Sequence, residues 1–142
     1  MTVTPEPIVW RVHLSSPPLR VRDAWLSPDD HARFLCEVSR RTKTGFHLQF
    51  IDGSVTDCTI CDVSEALIRL QYFGAEVTLE LEPAGGGTDV TLTTWNVPAD
   101  EWLDVYAGWL NVLLPLKAWL DFGVDLRNHD AARTWRQRFV DQ

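Results

Sequence analysis

The stretch Asp100 to Phe122, DEWLDVYAGWLNVLLPLKAWLDF, is the longest segment of the chain with helical periodicity, and it carries three of the seven tryptophans. At roughly 100° per residue, Trp102, Tyr106, Trp109, Leu113, Leu116 and Leu120 fall in one arc. Glu101, Asp104, Gly108, Asn111 and Pro115 fall opposite. This pattern predicts an amphipathic helix with a broad aromatic face. Asp100 and Glu101 suit the positive end of its dipole. Pro115 is predicted to kink the helix rather than end it, because the apolar pattern resumes at Leu116, and Gly123 is a plausible stop. A helix of about twenty residues is about 30 Å long, so such a face needs something wide and apolar to lie against.

The preceding residues read as a sheet built to receive it. Ile8, Trp10, Val12 and Leu14 alternate with Val9, Arg11 and His13, which predicts a half-buried strand. Ser16-Pro17-Pro18 stops it, and Leu19 to Leu26 reads as a short helix buried through Val21, Trp25 and Leu26. Ser27 caps a second helix, with Pro28 at its first position, Asp29 and Asp30 in its first turn, and His31, Phe34 and Leu35 as apolar contacts. From Phe46 the period changes to two. Phe46 to Phe50, Val55 to Val63, Ala66 to Phe73, Val77 to Leu81 and Val90 to Thr94 read as consecutive strands. Asp52-Gly53 and the loop Pro83 to Gly87 supply turns, and the whole predicts an antiparallel meander. Asp130 to Phe139 reads as a short terminal helix with Trp135 on its apolar side.

The chain has 142 residues, which fits one domain (1–142) with a single core. Thirteen Lys and Arg against 20 Asp and Glu leave a formal charge of −7 and a pI near 4.9. That sign repels phosphate backbones, and Arg40, Arg41 and Lys43 are too few to reverse it, so nucleic acid is not an expected partner. No secretion leader and no run approaching the ~20 apolar residues of a membrane span can be read. The expectation is a cytoplasmic protein with reduced thiols at Cys36, Cys58 and Cys61.

The order of strand, two short helices, meander and long final helix resembles the helix-grip arrangement of the START and birch-pollen-allergen-like superfamily. Val21-Arg22-Asp23-Ala24-Trp25-Leu26-Ser27-Pro28 resembles its helix pair, and Gly87-Thr88-Asp89-Val90-Thr91-Leu92 its last hairpin. Gly108-Trp109-Leu110 with Leu116-Lys117 is similar to the final helix of the bacterial branch that includes activators of the heat-shock chaperone ATPase. The resemblance implies an α+β fold in which a curved antiparallel sheet wraps around the long helix, with a cavity between them that in many relatives holds an apolar small molecule. The tail from Leu126 to Trp135 runs past the usual end, and is expected to cover a cavity mouth or a dimer surface. A chaperone-activating role depends in the family on a partner domain that a chain of this length is expected to lack.

Several candidate groups have plain structural readings. Cys58-Thr59-Ile60-Cys61 lies in a strand, where residues three apart point to opposite faces, and a redox pair usually opens a helix. No metal or cofactor is expected. His13 and His47 fall on the polar phase of their strands, His31 reads as a surface residue near the lid region, and His129 as a helix-capping neighbour of Asp130. Ser39, Ser54 and Ser64 lack a nucleophile-elbow context, and Gly85-Gly86-Gly87 precedes a strand rather than the helix a phosphate cradle needs. Lys117 falls inside the apolar arc. It either enters the cavity to pair with an anionic head or lays its stem on apolar surface with the ammonium in water, and the second reading is preferred.

The leading expectation is a binding protein for a hydrophobic or aromatic small molecule. Trp102, Tyr106, Trp109 and Leu113, with Lys117 as the candidate charge, form the helix wall; Phe50, Ile68, Leu70, Tyr72, Leu79 and Leu92 form the sheet wall. One rival is a cyclase- or hydrolase-type enzyme using Tyr106 or Lys117 in the same cavity. The other is an interaction module that regulates a chaperone or ATPase. A homodimer is compatible with each, through the His129 to Gln142 tail or the edge of the first strand.

Overall fold

The computed structural model describes residues 6–142; the first five residues, which belong to the segment searched for a leader, lie outside the described residues. Strand β1 (Ile8–Leu14) is followed by helices α1 (Pro18–Trp25) and α2 (Pro28–Phe34). As the sequence predicts, Ser27 caps α2 by accepting a hydrogen bond from the Asp30 N–H, with Pro28 at the first helical position. Asp30 then ties three helices together. It receives both guanidinium nitrogens of Arg20 at 2.8 and 3.0 Å and the indole N–H of Trp119 at 2.9 Å. The arginine, more than any other partner, holds its carboxyl below the usual range.

Strands β2 (Val38–Arg41), β3 (Gly45–Gln49), β4 (Val55–Val63), β5 (Leu67–Tyr72), β6 (Ala75–Ala84) and β7 (Gly87–Thr94) follow as an antiparallel meander. Strand β1 pairs with β7, so the curved sheet has the order β1-β7-β6-β5-β4-β3-β2. The β6–β7 hairpin turns through Gly85 and Gly86, both at positive φ, as a two-residue turn requires. At Gly87 the backbone of β1 passes so close that a Cβ would lie 2.0 Å from the Leu14 carbonyl oxygen, which leaves room only for glycine.

Helix α3 (Trp102–Phe122) runs unbroken through Pro115 and ends at Gly123 in the left-handed conformation. It lies in the grip of the sheet. Leu113 and Leu116 on α3, with Ile68, Leu70, Val77, Leu79, Val90 and Leu92 on β5, β6 and β7, are buried in one core with Val21, Ala24 and Phe34 of the short helices. Each of these side chains larger than alanine contributes about 1.5–3 kcal/mol on leaving water. This is the α+β helix-grip architecture.

The structure departs from the sequence reading in two elements. Strand β2 was not expected, because Val38-Ser39-Arg40-Arg41 has no apolar alternation; it is an edge strand held by backbone pairing to β3, and its charged residues blunt a free edge. The terminal helix expected over Asp130 to Phe139 is not formed. Asn128 and Asp130 side chains capture the N–H groups of Asp130 and Ala132, turns that compete with helix. Only a 3-10 turn, Trp135–Gln137, remains, and Arg138 ends it at φ 69°.

Candidate functional site

A cleft of about 830 Å³ opens between one end of the sheet and the N-terminal half of α3. Its sheet side is built from Phe50 after β3, the β5–β6 turn from Gln71 to Val77, and Thr94 to Pro98 at the end of β7. Its helix side is Glu101, Asp104, Val105, Gly108, Trp109, Asn111 and Val112, and the tail closes it with Arg127, Trp135 and Gln142. The tail is seated by specific contacts. The Trp135 ring lies over Gly108, where a Cβ would stand 3.6 Å from it, and the Asn111 amide donates to the Val140 carbonyl. Arg127, its side chain only 5% exposed, donates to the Cys36 carbonyl at 2.8 Å, to Glu37 at 3.2 Å and to the Gln142 backbone oxygen at 3.0 Å.

Aromatic rings dominate the inner wall and the mouth. Trp109, 4% exposed, packs against Tyr72 with ring centroids 5.0 Å apart, and Tyr72, Phe73 and Phe50 form a contiguous group with centroid separations of 4.9, 5.3 and 6.2 Å. Phe73 occupies the left-handed region at φ 50° and is 52% exposed. A bulky residue is rarely held there, and the strain costs roughly 1–3 kcal/mol. Trp95 and Trp135 stand exposed at the mouth. Neither the Tyr72 hydroxyl nor the Trp109 indole N–H has a hydrogen-bond partner among the described residues, and neither is sealed from the cleft. Burial pushes the Tyr72 phenol well above its usual range, so it is present as a neutral donor and acceptor.

Of the eleven residues expected at the site, Phe50, Tyr72 and Trp109 border the cleft. Ile68, Leu70, Leu79, Leu92 and Leu113 are instead packed in the closed core beyond it. Trp102 and Tyr106 stack on each other at 4.9 Å, on the β1 side of the helix. Tyr106 meets Trp10 at 4.6 Å, and the Trp10 indole donates to the Tyr106 carbonyl. Lys117 does not enter the cleft. Its ammonium donates to the His13 carbonyl at 2.6 Å and to Asp121 at 2.8 Å. Burial alone would raise the Asp121 carboxyl, but the hydrogen bonds from Lys117 and the Ser15 N–H hold it below its usual range. Conversely, Glu101, Asp104, Gly108 and Asn111, expected on the solvent face, border the cleft because the tail folds back over that face. Trp95, Phe73 and Arg127 were missed; the only local signals were a lone tryptophan closing a strand and a Phe-Gly turn.

The histidines and cysteines resolve by burial. His31 is not a surface residue: it is 1% exposed, with Nε2 on the Trp25 carbonyl at 2.7 Å and Nδ1 on Ser39 Oγ at 2.9 Å. Desolvation lowers its pKa. His129 caps no helix. It bridges Glu37 and Asp125 at 2.7 Å each, and although burial would lower its pKa, those two carboxylates raise it overall. His13 and His47 pair with Asp89 and Asp57 at the surface. Cys58 points inward and Cys61 outward, and burial pushes the Cys36 and Cys58 thiols up to about 12, which leaves both unreactive near neutral pH. Among the described residues no group of His, Cys, Asp and Glu side chains is placed to hold a metal ion, and no helix is long and apolar enough to cross a membrane.

No protein-family model matches the sequence, and neither does any curated protein. Solved structures do match in shape. A Staphylococcus saprophyticus protein superposes with a TM-score of 0.74 at 22% identity, over 86% of this chain and 96% of that one. The Aha1 dimer of Colwellia psychrerythraea gives a TM-score of 0.73 at 19% identity, over 83% and 98%. The AHSA1-like protein of Aeromonas hydrophila gives 0.64 at 24% identity, over 83% and 94%. The chain therefore shares its helix-grip fold with these structures, the Aha1 and AHSA1-like proteins among them.

Proposed function

We propose that the chain acts as one helix-grip domain that binds a hydrophobic or aromatic small molecule in the cleft between the β5–β6 turn, the N-terminal half of α3 and the tail. The observation that carries this reading is the pairing of Trp109 and Tyr72. Two largely apolar rings wall the cleft, and each offers a polar group without a partner among the described residues. Ligand sites combine apolar walls with a few such groups, in volumes of about 300–1,000 Å³. The cleft falls inside that range.

Native mass spectrometry of freshly purified protein, before and after extraction with organic solvent, tests the reading. A discrete added mass that disappears on extraction supports it. An unmodified mass, together with no ligand-induced shift of the Trp109 indole resonance across a panel of aromatic compounds, removes it. The enzymatic alternative loses its two named residues, because Tyr106 and Lys117 lie away from the cleft. Chaperone regulation has no observation of its own beyond the shape of the fold. Homodimerisation is proposed through β1, which is an edge strand of the sheet; light scattering of the wild type against an Arg11→Pro edge variant tests it.

A further inference from the structure

The charge around the cleft is lopsided. Among the described residues, Asp52, Glu76, Glu101 and Asp104 border it, against a single lining cation, Arg127. Arg127 is already committed to the Cys36 and Gln142 backbone oxygens and to Glu37, so it has little left to offer an anionic ligand. The four carboxylates differ in how far they are engaged. Asp52 accepts from the Ser54 N–H and hydroxyl at 2.9 and 2.6 Å and feels Arg136, and Glu76 stands 3.9 Å from Arg69. Glu101 and Asp104 have no ion pair among the described residues. Both sit at the start of α3, where the helix end offers them only about half a positive charge. Two full carboxylates exceed it, so this part of the mouth is net negative.

The same mouth carries Phe73, Trp95 and Trp135, with Tyr72 and Trp109 deeper in. The faces of such rings attract cations and accept flat apolar bodies equally well. Anions are disfavoured twice, by the rings and by the carboxylates. We infer that the cleft takes a cationic amine with an aromatic body, the body against Trp109 and Tyr72 and the ammonium at the mouth beside Glu101 and Asp104. The inference rests on the cleft being a ligand site, and it specifies the class of ligand that the site selects.

Three probes of nearly one shape separate the two ideas: naphthylmethylammonium, naphthylmethanol and naphthylacetate. Each is titrated calorimetrically into the full chain at low ionic strength and again in about 0.5 M salt, while NMR follows the Trp109 indole N–H. The expected result is that the cation binds at least about tenfold more tightly than the anion, with a gap that narrows in salt. In the Glu101→Gln, Asp104→Asn double variant most of that gap is expected to close. Equal or tighter binding of naphthylacetate overturns the cationic class while leaving the cleft as a site. A cation preference untouched by the double variant overturns the assignment to Glu101 and Asp104. If none of the three moves the Trp109 resonance, the cleft reading fails together with the inference.

Discussion

The two halves of α3 meet different surroundings. From Leu113 to Ala118 the helix turns Leu113, Pro115, Leu116 and Ala118 into a closed interior. From Glu101 to Val112 one face of it borders open volume, with the tail across the far side. Both halves are rich in apolar residues, and both face strands of the same sheet. The difference comes from size and from what arrives opposite. Leucines and valines interlock at the closed end, whereas at the open end Tyr72 meets Phe73 edge to face and Trp109 at a tilt, and a strained turn holds Phe73 outward. Close packing is the default of a protein interior; here the open end departs from it while the closed end supplies the stability.

That contrast makes graded predictions. Leu79→Ala, in the closed end, is expected to cost about 2–5 kcal/mol, the usual penalty for a cavity that cannot collapse, measured by urea unfolding. Trp109→Ala removes a larger side chain, yet it is expected to cost less than the roughly 3–5 kcal/mol typical of a buried tryptophan, because its ring already borders the cleft. It should also move ligand preference towards bulkier compounds. A full-sized loss of stability with an unchanged ligand profile would mean that the ring is ordinary core.

The two engaged histidines give smaller effects of opposite sign. His31, in the closed interior, has a lowered folded pKa, so its contribution is fully present above the unfolded value near 6.5 and is lost as pH falls below it. His129, in the tail, has a raised folded pKa, so its contribution is fully present below about 6.5 and is lost as pH rises through the folded value. Comparing Tm across pH for wild type and His129→Gln should therefore show a difference at acidic pH that disappears on the alkaline side. A difference that grows with pH would contradict the bridge between Glu37 and Asp125. Smallest of all, Phe73→Gly is expected to leave stability within about 1 kcal/mol, since glycine relieves the left-handed strain while ring contacts are lost. Ligand affinity should nevertheless fall, because the variant strips the mouth of a ring.

Much of the fold was legible because it rests on local rules. The alternation of Ile8 to Leu14, the Ser27-Pro28 helix start, the Asp52-Gly53 turn and the Gly123 stop each have a mechanism that acts within a few residues. Where a residue obeyed a long-range partner instead, local reading failed. Val38 to Arg41 became a strand through β3, and Asp130 to Phe139 stayed largely non-helical because side chains captured the backbone first. The candidate site suffered most. An angular count on α3 identifies one apolar arc, but the helix has neighbours on more than one side: β1 takes Trp102 and Tyr106, the sheet takes Leu113, and the tail covers Gly108 and Asn111.

By itself the sequence determined most of the elements, their order and the sign of the net charge, since periodicity, capping, turn chemistry and composition are carried by neighbouring residues. Only the tertiary structure decided which rings wall the cleft, that Lys117 is bound to Asp121 outside it, and that Glu101 and Asp104 border its mouth. Those outcomes depend on how a helix is rotated against the sheet and where the tail returns, and both are fixed by contacts between residues far apart in the chain.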